Sequence, residues 1–382
     1  MPMTRSANQR RQVLLICDFS PPNPNHLLSL YDRMNNTDVT LVRRKYGDLG
    51  PTHHRVIEIP LTPLFLTSSL GGKFVTAVNT FSYVMVGSVV SILAALRFRC
   101  TIIHSHYLVP EGLVGLIASI PSHSASIATA EGSDVNIYSK SSLARAIMRL
   151  LALRGTVVSV SKPIKARLSA LGVKSIYLPT FVDGEKFTFK PPIEKDHTLL
   201  FVGSLIEIKR PDLLVEAVAG IPREQLPQDF LVRIIGAGPL KSSIGAKISD
   251  SGLQDTVRLE GSIPHDAVRE LMSHALIYVS ASTMEGTSFA LIEAMASGCV
   301  IIASDIPGNS AVIADHENGL LFREGDSKAL SAAIGEAIND MALCEKLSRN
   351  ARRTFESNFD IMKSAELLSG LYAQVESRKG AK

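Results

Sequence analysis

Two glutamates eight positions apart, Glu285 and Glu293, flank the start of an apolar helix in the second half of the chain. Glu285 stands beside Gly286, Thr287 and Ser288, which favour turns and helix starts, whereas Glu293 lies about one turn inside the apolar run. One carboxylate can therefore reach from a loop and the other from a helix, with the free backbone N–H groups of the first turn between them. This layout suits a ligand with hydroxyl groups at both ends and a phosphate in the middle, which is the shape of a nucleotide sugar.

A glycine loop and two cations follow an apolar strand predicted over residues 198–202. Gly203 and Ser204 come directly after the strand, and Lys209 and Arg210 precede a predicted helix. A glycine lets the backbone approach a ligand, and an ammonium could meet a phosphate. The chain contains no Asp-x-Asp motif, so we expect the phosphate charge to be met by Lys209, Arg210 and helix N-termini. We therefore expect no metal ion and no cofactor.

A second glycine loop, Gly236-Ala-Gly238-Pro239, follows the strand predicted over 231–235. It lacks the third glycine of a dinucleotide fingerprint, because Lys241 stands at that position. The loop could be a tight turn that lets a base or phosphate approach, or a plain strand-to-helix turn. Both interpretations stay open on the sequence alone.

Four polar residues of the first half, His104, His106, Glu131 and Asp134, follow two predicted strands. The carboxyl ends of parallel strands meet at one edge of a sheet, so these side chains could bind sugar hydroxyls or assist proton transfer. Structural hydrogen bonding to the loop backbone is the alternative. The spacing does not favour a zinc site.

Alternating apolar and amphipathic segments predict that strands and helices alternate in both halves. The predicted strands of the first half are 13–17, 101–103, 126–129, 157–160 and 176–179. Those of the second half are 198–202, 231–235, 257–259, 277–279 and 300–303, with helices over 212–219, 266–274 and 288–297. A charged, proline-bearing linker at 190–197 separates the halves. The pattern predicts two doubly wound α/β domains that meet across a cleft.

Composition sets the broad class of protein. The chain has 382 residues, 46% hydrophobic and 20% charged, which is ordinary for a globular protein and enough for two cores. The four cysteines lie far apart without Cys-x-x-Cys spacing, so neither a zinc site nor a disulfide framework is indicated. The polar N-terminus does not resemble a signal peptide, and we expect a reduced cytoplasmic location.

Charge is distributed unevenly along the chain. Residues 1–190 hold 21 Lys and Arg against 10 Asp and Glu, and the remainder holds 19 against 26, so the halves carry charges of +11 and −7. These could be two solvated surfaces, or the first half could face an anionic phospholipid surface or lipid-linked phosphate. Nucleic acid is disfavoured as a partner because the basic residues are not interleaved with aromatic residues and Trp is absent.

Residues 74–96 carry no charge and are long enough to span a membrane. They also contain six Ser, Thr and Asn residues and lie between elements of one predicted sheet. A buried or interfacial helix is therefore favoured, ahead of a membrane-surface element and of a true span.

In order and spacing, these motifs resemble the group 1 family of retaining nucleotide-sugar glycosyltransferases, which have the GT-B fold. The resemblance runs over most of the chain. The segments that carry it are residues 102–106, 132–135, 181–187, 201–209, 236–239, 285–298, 305–308 and 318–322.

The resemblance implies two Rossmann-like, doubly wound parallel-sheet domains facing a central cleft. Residues 1–188 would form the acceptor-side domain and residues 189–357 the donor-binding domain. Residues 358–382 would include a terminal helix that crosses back to the first domain.

The resemblance also implies roles for individual residues. Glu285 would lie near the hydroxyls of the donor sugar, Glu293 would accept hydrogen bonds from the ribose, and Lys209 would neutralise the departing diphosphate. With Glu131, Glu285 and Lys209 make up the expected catalytic group. The other expected donor-binding residues are Gly203, Ser204, Arg210, Gly236, Gly238, Thr287, Ser288, Phe289 and Ala290. The expected acceptor-side residues are His104, His106 and Asp134.

The implied activity is metal-independent, retaining transfer of a sugar from a nucleotide diphosphate sugar to a hydroxyl acceptor, a lipid-linked or cell-envelope glycan. The expected partners are the nucleotide sugar, that acceptor and, peripherally, the anionic inner face of a membrane. Ser204 stands where the family usually has Arg, and Glu131 where it commonly has His. A sugar-nucleotide-binding protein without transfer activity therefore stays open, as does a nucleotide-sugar isomerase of the same fold.

Overall fold

The computed structural model describes residues 10–17, 24–44, 52–59, 73–132 and 134–380. The polar N-terminus before residue 10 and Ser133 of the Gly132-Ser-Asp134 motif lie outside these residues. The chain forms two compact units: unit 1 comprises residues 1–179 and 364–382, and unit 2 comprises residues 180–363. The domain boundaries expected from the sequence are at 188/189 and 357/358.

The described part of unit 1 contains a parallel sheet of seven strands in the order β3-β2-β1-β4-β5-β6-β7. Its strands are β1 Arg11–Ile16, β2 Thr37–Arg44, β3 Arg55–Ile59, β4 Ile102–His106, β5 Ala125–Ala130, β6 Thr156–Ser159 and β7 Ile176–Tyr177. Its connecting helices are α1 Pro24–Asp32, α2 Lys73–Arg97, α3 Leu113–Ser119, α4 Ser142–Arg154 and α5 Lys162–Ala170. Every residue of β4 and β5 is buried, as expected for central parallel strands covered on both faces.

Unit 2 contains a parallel sheet of six strands in the order β10-β9-β8-β11-β12-β13. Its strands are β8 Asp196–Val202, β9 Leu231–Ile235, β10 Val257–Gly261, β11 Ala275–Ser280, β12 Val300–Ser304 and β13 Leu320–Phe322. Its helices are α6 Pro211–Ala219, α7 Lys241–Asp250, α8 His265–His274, α9 Phe289–Ser297, α10 Pro307–Ser310, α11 Ser327–Asn339 and α12 Met341–Asn358. Helix α13, Ile361–Gly380, ends the described chain.

Both sheets are doubly wound, as the alternating pattern predicts. The winding direction reverses between β1 and β4 in unit 1, and between β8 and β11 in unit 2. Ligands of open parallel sheets bind outside the carboxyl ends of the strands at such a reversal. In unit 2 the topology therefore predicts a ligand site at the loops after β8 and β11.

Except at the end of β4, the predicted strands are confirmed to within about two residues. The helices predicted over 212–219, 266–274 and 288–297 are α6, α8 and α9. One detail of the strand ends is wrong: His104 and His106 do not follow a strand but lie inside β4. The expected strand at 101–103 was too short, because the two imidazoles continue the buried, paired run beside β5.

Helix α2 is the uncharged segment that the sequence singles out. By length and composition alone, its residues Asn79–Arg97 could cross a membrane, and among the described residues no other helix has both properties. One side of α2 packs on α3 and the first sheet through Tyr83, Ala94 and Ala95. It is thus a layer of unit 1, as the interfacial-helix prediction requires.

Candidate functional site

The loops after β8 and β11 meet because their strands are neighbours in the second sheet. Gly203 follows β8, and Glu285 lies on the loop after β11. The backbone N–H of Thr283 donates a hydrogen bond of 2.8 Å to the carbonyl of Ile208, which joins the two loops. The predicted donor-side residues of the two loops are therefore brought to one place.

An ion pair between Lys209 and Glu285 lies at this meeting point. Lys209 Nζ donates to Glu285 Oε1, and Ser282 Oγ donates to the same oxygen over 2.8 Å. The side chain of Glu285 is 11% exposed and that of Lys209 is 27% exposed. The carboxylate is thus held by two donors while part of the ammonium remains accessible, so an anion could still approach Lys209.

The two glycine loops lie against each other. A Cβ on Gly236 would lie 1.8 Å from the carbonyl oxygen of Gly203, and one on Gly238 would lie 2.3 Å from that of Leu205. Glycine is required at both positions by the neighbouring loop itself. A Cβ on Gly203 would meet only the Phe201 ring, at 3.8 Å, which leaves open space at that position.

Helix α9 begins directly after the Glu285 loop. The Oγ of Ser288 caps it by accepting from the N–H of Leu291, and Thr287 Oγ1 donates to the carbonyl of Gly286. Phe289 and Ala290 are the first two residues of this helix, and the N–H groups of a first helical turn have no acceptor within the helix. The residues predicted to face a sugar and a diphosphate thus form a helix N-terminus, where anions are stabilised.

Glu293 lies within α9, and its side chain is 12% exposed. Its Oε1 is 2.9 Å from Nε2 of His265, the first residue of α8. The hydrogen bond to this carboxylate raises the pKa of His265, against a smaller lowering by burial. The second glutamate of the pair is therefore held in place by an imidazole of a different helix.

Arg210 is held locally rather than by the Glu285 loop. Its backbone is left-handed, with φ 49° and ψ 47°, at the N-terminus of α6. Its guanidinium makes three hydrogen bonds of 3.0–3.2 Å to the carboxylate of Asp212. Ser204 is exposed and close to Gly203 in the same loop.

In unit 1, His104 belongs to a buried hydrogen-bond network. Its Nδ1 lies 2.7 Å from the hydroxyl of Tyr372 and 3.1 Å from that of Tyr31, and its Nε2 lies 2.7 Å from Thr129 Oγ1. Burial lowers the pKa of His104, so the ring is neutral at physiological pH. Both ring nitrogens have partners inside the protein, which gives this expected acceptor-side residue a structural environment.

His106 and Glu131 form a pair at the carboxyl ends of β4 and β5. His106 Nδ1 lies 2.6 Å from Glu131 Oε1. The imidazole is 8% exposed and the carboxylate 23% exposed. Of the four polar residues predicted in this region, these two form a couple that can orient a proton.

Asp134 is fully buried and accepts hydrogen bonds from the backbone N–H groups of Leu108, Gly132 and Val135. Burial raises the pKa of Asp134, although the three N–H donors oppose the rise. Its carboxylate thus shapes the loop, which is the structural alternative that the sequence left open.

Among the described residues, one group of side chains is arranged so that it could hold a metal ion. Asp32, His53 and His54 have ligand atoms within 4.8 Å of one another, and Asp32 Oδ1 lies 2.7 Å from His54 Nε2. This group lies at the end of α1 and just before β3, and it contains none of the donor-side or acceptor-side residues predicted from the sequence.

Comparison with known proteins bears directly on unit 2. The family model described as glycosyl transferases group 1 matches residues 183–354. This part of the protein belongs to the family. The matched range contains both glycine loops, Lys209 and the two glutamates, so the family domain and the candidate donor site coincide.

Sequence relatives of this glycosyltransferase cover much of its length. An uncharacterized glycosyltransferase of Methanocaldococcus jannaschii is 29% identical over 66% of this chain and 69% of its own. The putative teichuronic acid biosynthesis glycosyltransferase TuaC of Bacillus subtilis is 27% identical over 72% of this chain and 70% of its own. A Campylobacter jejuni α-1,4-N-acetyl-D-galactosaminyltransferase, named for a diNAcBac-PP-undecaprenol-linked acceptor, is 27% identical over 57% and 63%.

The fold of the glycosyltransferase is that of solved GT-B structures. The Anabaena protein HepE, solved in complex with UDP and glucose, superimposes with a TM-score of 0.75 at 16% identity, over 96% of this chain and 100% of its own. The predicted fold class, two doubly wound parallel sheets, is thereby confirmed.

Three further residues contact the candidate donor site of the glycosyltransferase. His265 holds Glu293, Ser282 holds Glu285, and a Cβ on Gly308 would lie 2.4 Å from the carbonyl oxygen of Glu285. Gly308 belongs to the family resemblance, but the other two carry no signal in the sequence. Their contacts depend on how α8 and the loop after β11 fold, which spacing alone does not indicate.

Proposed function

We propose that the enzyme transfers a sugar, with retention of anomeric configuration, from a nucleotide diphosphate sugar to a hydroxyl group of a cell-envelope or lipid-linked glycan. The observation that carries this proposal is the Lys209–Glu285 ion pair at the winding reversal of the second sheet, beside the N-terminus of α9. A cation, a carboxylate and a helix N-terminus together provide the groups that a nucleotide diphosphate sugar requires.

Each group has a separate role in the proposal. Lys209 and the N–H groups of the first turn of α9 would stabilise the negative charge that develops on the leaving diphosphate, the kind of contribution that electrostatic groups make in transition states. Glu285 would bind sugar hydroxyls, and Glu293, positioned by His265, would bind the ribose. The open space at Gly203 leaves room for the diphosphate.

On the acceptor side, we propose that the His106–Glu131 couple contacts the acceptor hydroxyl. His106 Nδ1 and Glu131 Oε1 lie 2.6 Å apart, and the Glu131 side chain is 23% exposed. A carboxylate that orients an imidazole can assist proton transfer. His104 and Asp134 would support this couple from the core rather than touch the acceptor.

The nature of the acceptor is proposed from the relatives. One is named for teichuronic acid biosynthesis and another for an undecaprenol-linked glycan. The first name specifies teichuronic acid, and the second specifies a glycan that is linked through a diphosphate to undecaprenol. A glycan of this class is therefore the acceptor that we would test first.

The test begins with donor binding. A thermal-shift screen against UDP-, GDP- and ADP-sugars should reveal one nucleotide that raises the melting temperature, because a ligand of the native state stabilises it by mass action. Replacing Glu293 by Ala should remove that shift. If Glu293→Ala and Lys209→Ala both leave turnover unchanged, the assignment of the site is wrong.

Ser204 and Glu131 motivate a second candidate function, binding of a nucleotide sugar without transfer. Ser204 provides no cation in the first glycine loop, and Glu131 is engaged by His106. Donor hydrolysis and transfer to lipid-linked acceptors, measured beside binding, separate the two functions. Binding without either reaction would favour the second.

A further inference from the structure

Helix α2 turns small polar residues inward and large apolar residues outward. Ser91 is fully buried, and the buried hydroxyls of Ser88 and Ser91 have no hydrogen-bond partner in the described part of the chain. On the opposite side, Phe81, Met85 and Leu93 are each more than half exposed. Their spacing of four or eight residues places them along one stripe of the helix. This arrangement is unfavourable for a helix exposed to water, because burying the large apolar side chains would stabilise the fold more than burying the serines.

Helix α4 carries a second exposed apolar stripe. Leu143 is 70% exposed and Leu153 is 78% exposed, with Leu150 between them on the same side of the helix. The other side of α4 is buried through Met148 and Leu151. The helix is therefore apolar on two sides, and only one of them is used inside unit 1.

The two stripes belong to one face of the first sheet. The connections from β3 to β4, from β4 to β5 and from β5 to β6 join parallel strands, and all three advance in the same direction across the sheet. Right-handed crossovers place α2, α3 and α4 on the same side. Helix α3, which is largely buried, packs against both of the others. We name the exposed apolar residues of α2 and α4, with Lys140 and Arg154, the α2–α4 surface.

Most of the charged residues in the segment that carries this surface are basic. Residues 73–182 contain 11 Lys and Arg but only three Asp and Glu. Of the three acids, Glu111 and Asp134 are buried, and Glu131 is paired with His106. Lys140 and Arg154 are exposed at the two ends of α4. The positive charge of the first half is thus concentrated in the segment that carries the apolar stripes.

We propose that the α2–α4 surface docks on an anionic lipid bilayer. Apolar side chains flanked by cations are the combination that enters the boundary between headgroups and acyl chains, where anionic lipids attract Lys and Arg. A second copy of the chain is a poorer occupant, because it would bring a basic surface against a basic surface. Because the inner side of α2 packs on α3 and the first sheet, α2 lies on the bilayer rather than crossing it.

This inference deepens the proposed function, because a membrane-bound enzyme would meet a lipid-linked acceptor where that acceptor resides. It rests on the proposed function for its purpose, but the docking itself needs neither donor nor acceptor. The Glu293→Ala variant, which should lose the donor, is therefore expected to bind vesicles like the unchanged protein. This separates failure of the surface from failure of the donor site.

The experiment is sedimentation of the full chain with phosphatidylcholine vesicles, with and without phosphatidylglycerol. We expect binding to the anionic vesicles that weakens as salt is raised, since exposed charges are screened. The Phe81→Ser/Leu93→Ser and Leu143→Ser/Leu153→Ser variants should each bind at least about tenfold more weakly. Lys140→Gln/Arg154→Gln should weaken binding roughly fivefold or more.

Matched controls come from unit 2. Ile193 is exposed to a degree similar to Phe81, and Lys328 is an exposed cation. Ile193→Ser and Lys328→Gln should leave vesicle binding unchanged, and all variants should melt like the unchanged protein because the altered side chains are exposed. Lack of binding to anionic vesicles overturns the proposal, as does binding by the α2 and α4 variants that is as tight as that of the unchanged protein. So does a dimer that these variants dissolve without any vesicle binding, which would make the surface an interface between copies.

Discussion

The Lys209–Glu285 ion pair decides how much free charge the donor site presents before a ligand enters. Glu285 is held by Lys209 and Ser282, and the lysine is the more exposed partner. A diphosphate that reaches the ammonium would add to this network without having to desolvate a free lysine. The pair thus prepares a cation of fixed position, which is the form of electrostatic stabilisation that costs least during reaction.

Replacing Lys209 by Gln is expected to lower the transfer rate about 100-fold or more, because one fixed charge opposite the leaving group is lost. Steady-state rates with the donor found by thermal shift are the measurement. Lys328→Gln is the matched control. In the Glu285→Gln background, the same lysine replacement should cost much less, because the two residues share one interaction. Additive losses would contradict a coupled pair.

The His265–Glu293 hydrogen bond is expected to make stability depend on pH. Because the folded-state pKa of His265 is raised, its stabilisation is fully present below the unfolded-state pKa of about 6.5 and is lost as pH rises through the folded-state pKa. His265→Gln should therefore lower the melting temperature more at pH 6 than at pH 8.5. The effect should stay below about 1 kcal/mol, because the imidazole is half exposed. The Glu293→Gln background should show no such pH dependence.

At this scale the sequence predicts Lys209, Glu285 and Glu293 as donor-site residues, but it does not predict how they are bonded. The spacing places Lys209 on one loop and Glu285 on another, and only the adjacency of β8 and β11 turns them into an ion pair. The same limit explains His106 and Glu131, whose contact depends on the register of β4 against β5. His104 and Asp134 differ from this pair because their polar atoms bond to Tyr372, Thr129 and backbone N–H groups inside the protein, which the sequence does not show.

At the scale of elements, the two glycine loops are positioned by each other. Gly236 has φ 147°, and any Cβ there would overlap the carbonyl of Gly203. The loop at Gly236, for which the sequence left a ligand-binding turn and a plain turn open, makes a close approach to the loop of a neighbouring strand. This approach fixes the path of the backbone around Gly203.

Gly236→Ala is expected to destabilise the protein by about 3 kcal/mol or more, because an unfavourable φ and a backbone overlap combine. Gly245→Ala is the matched control, since a Cβ in the middle of α7 would meet nothing within 4 Å. That replacement should stabilise by up to about 1 kcal/mol through its helix propensity. The measurement is the melting temperature of each variant, compared with that of the unchanged protein. Similar melting of the two variants would mean that the loops can separate.

Five of the six strands of the second sheet were predictable because buried parallel strands form continuous apolar runs, as in β11 and β12. The sixth, β13, is only three residues long and was missed. Strands β2 and β3 were missed, since they contain charged residues such as Arg43, Arg55 and Glu58. Arg43 and Glu58 form an ion pair across these two strands, which lets a charged edge join the sheet. Composition alone does not reveal such a pairing.

At the scale of the molecule, the two units differ in how the chain closes them. Unit 2 is one continuous segment whose ends pair: Val182 donates its N–H to the carbonyl of Phe359, and Ile361 donates to that of Val182. Unit 1 needs two segments. Helix α13 contributes buried Leu368 and Tyr372, and its Glu376 accepts hydrogen bonds from Arg11 and Thr101.

A fragment of residues 180–363 is therefore expected to fold alone, whereas a fragment of residues 1–179 is not. The first contains complete cores, the paired ends and every donor-side residue, so it should melt cooperatively and be stabilised by the same nucleotide sugar as the full chain. The second lacks α13, which leaves Tyr31 and His104 without the hydroxyl of Tyr372 in the core. Unsatisfied buried polar groups cost about 1–3 kcal/mol each, and the apolar contacts of α13 are lost as well. Circular dichroism and thermal melts of both fragments provide the measurement. If the fragment of residues 1–179 melts cooperatively without residues 364–382, helix α13 is not part of its core.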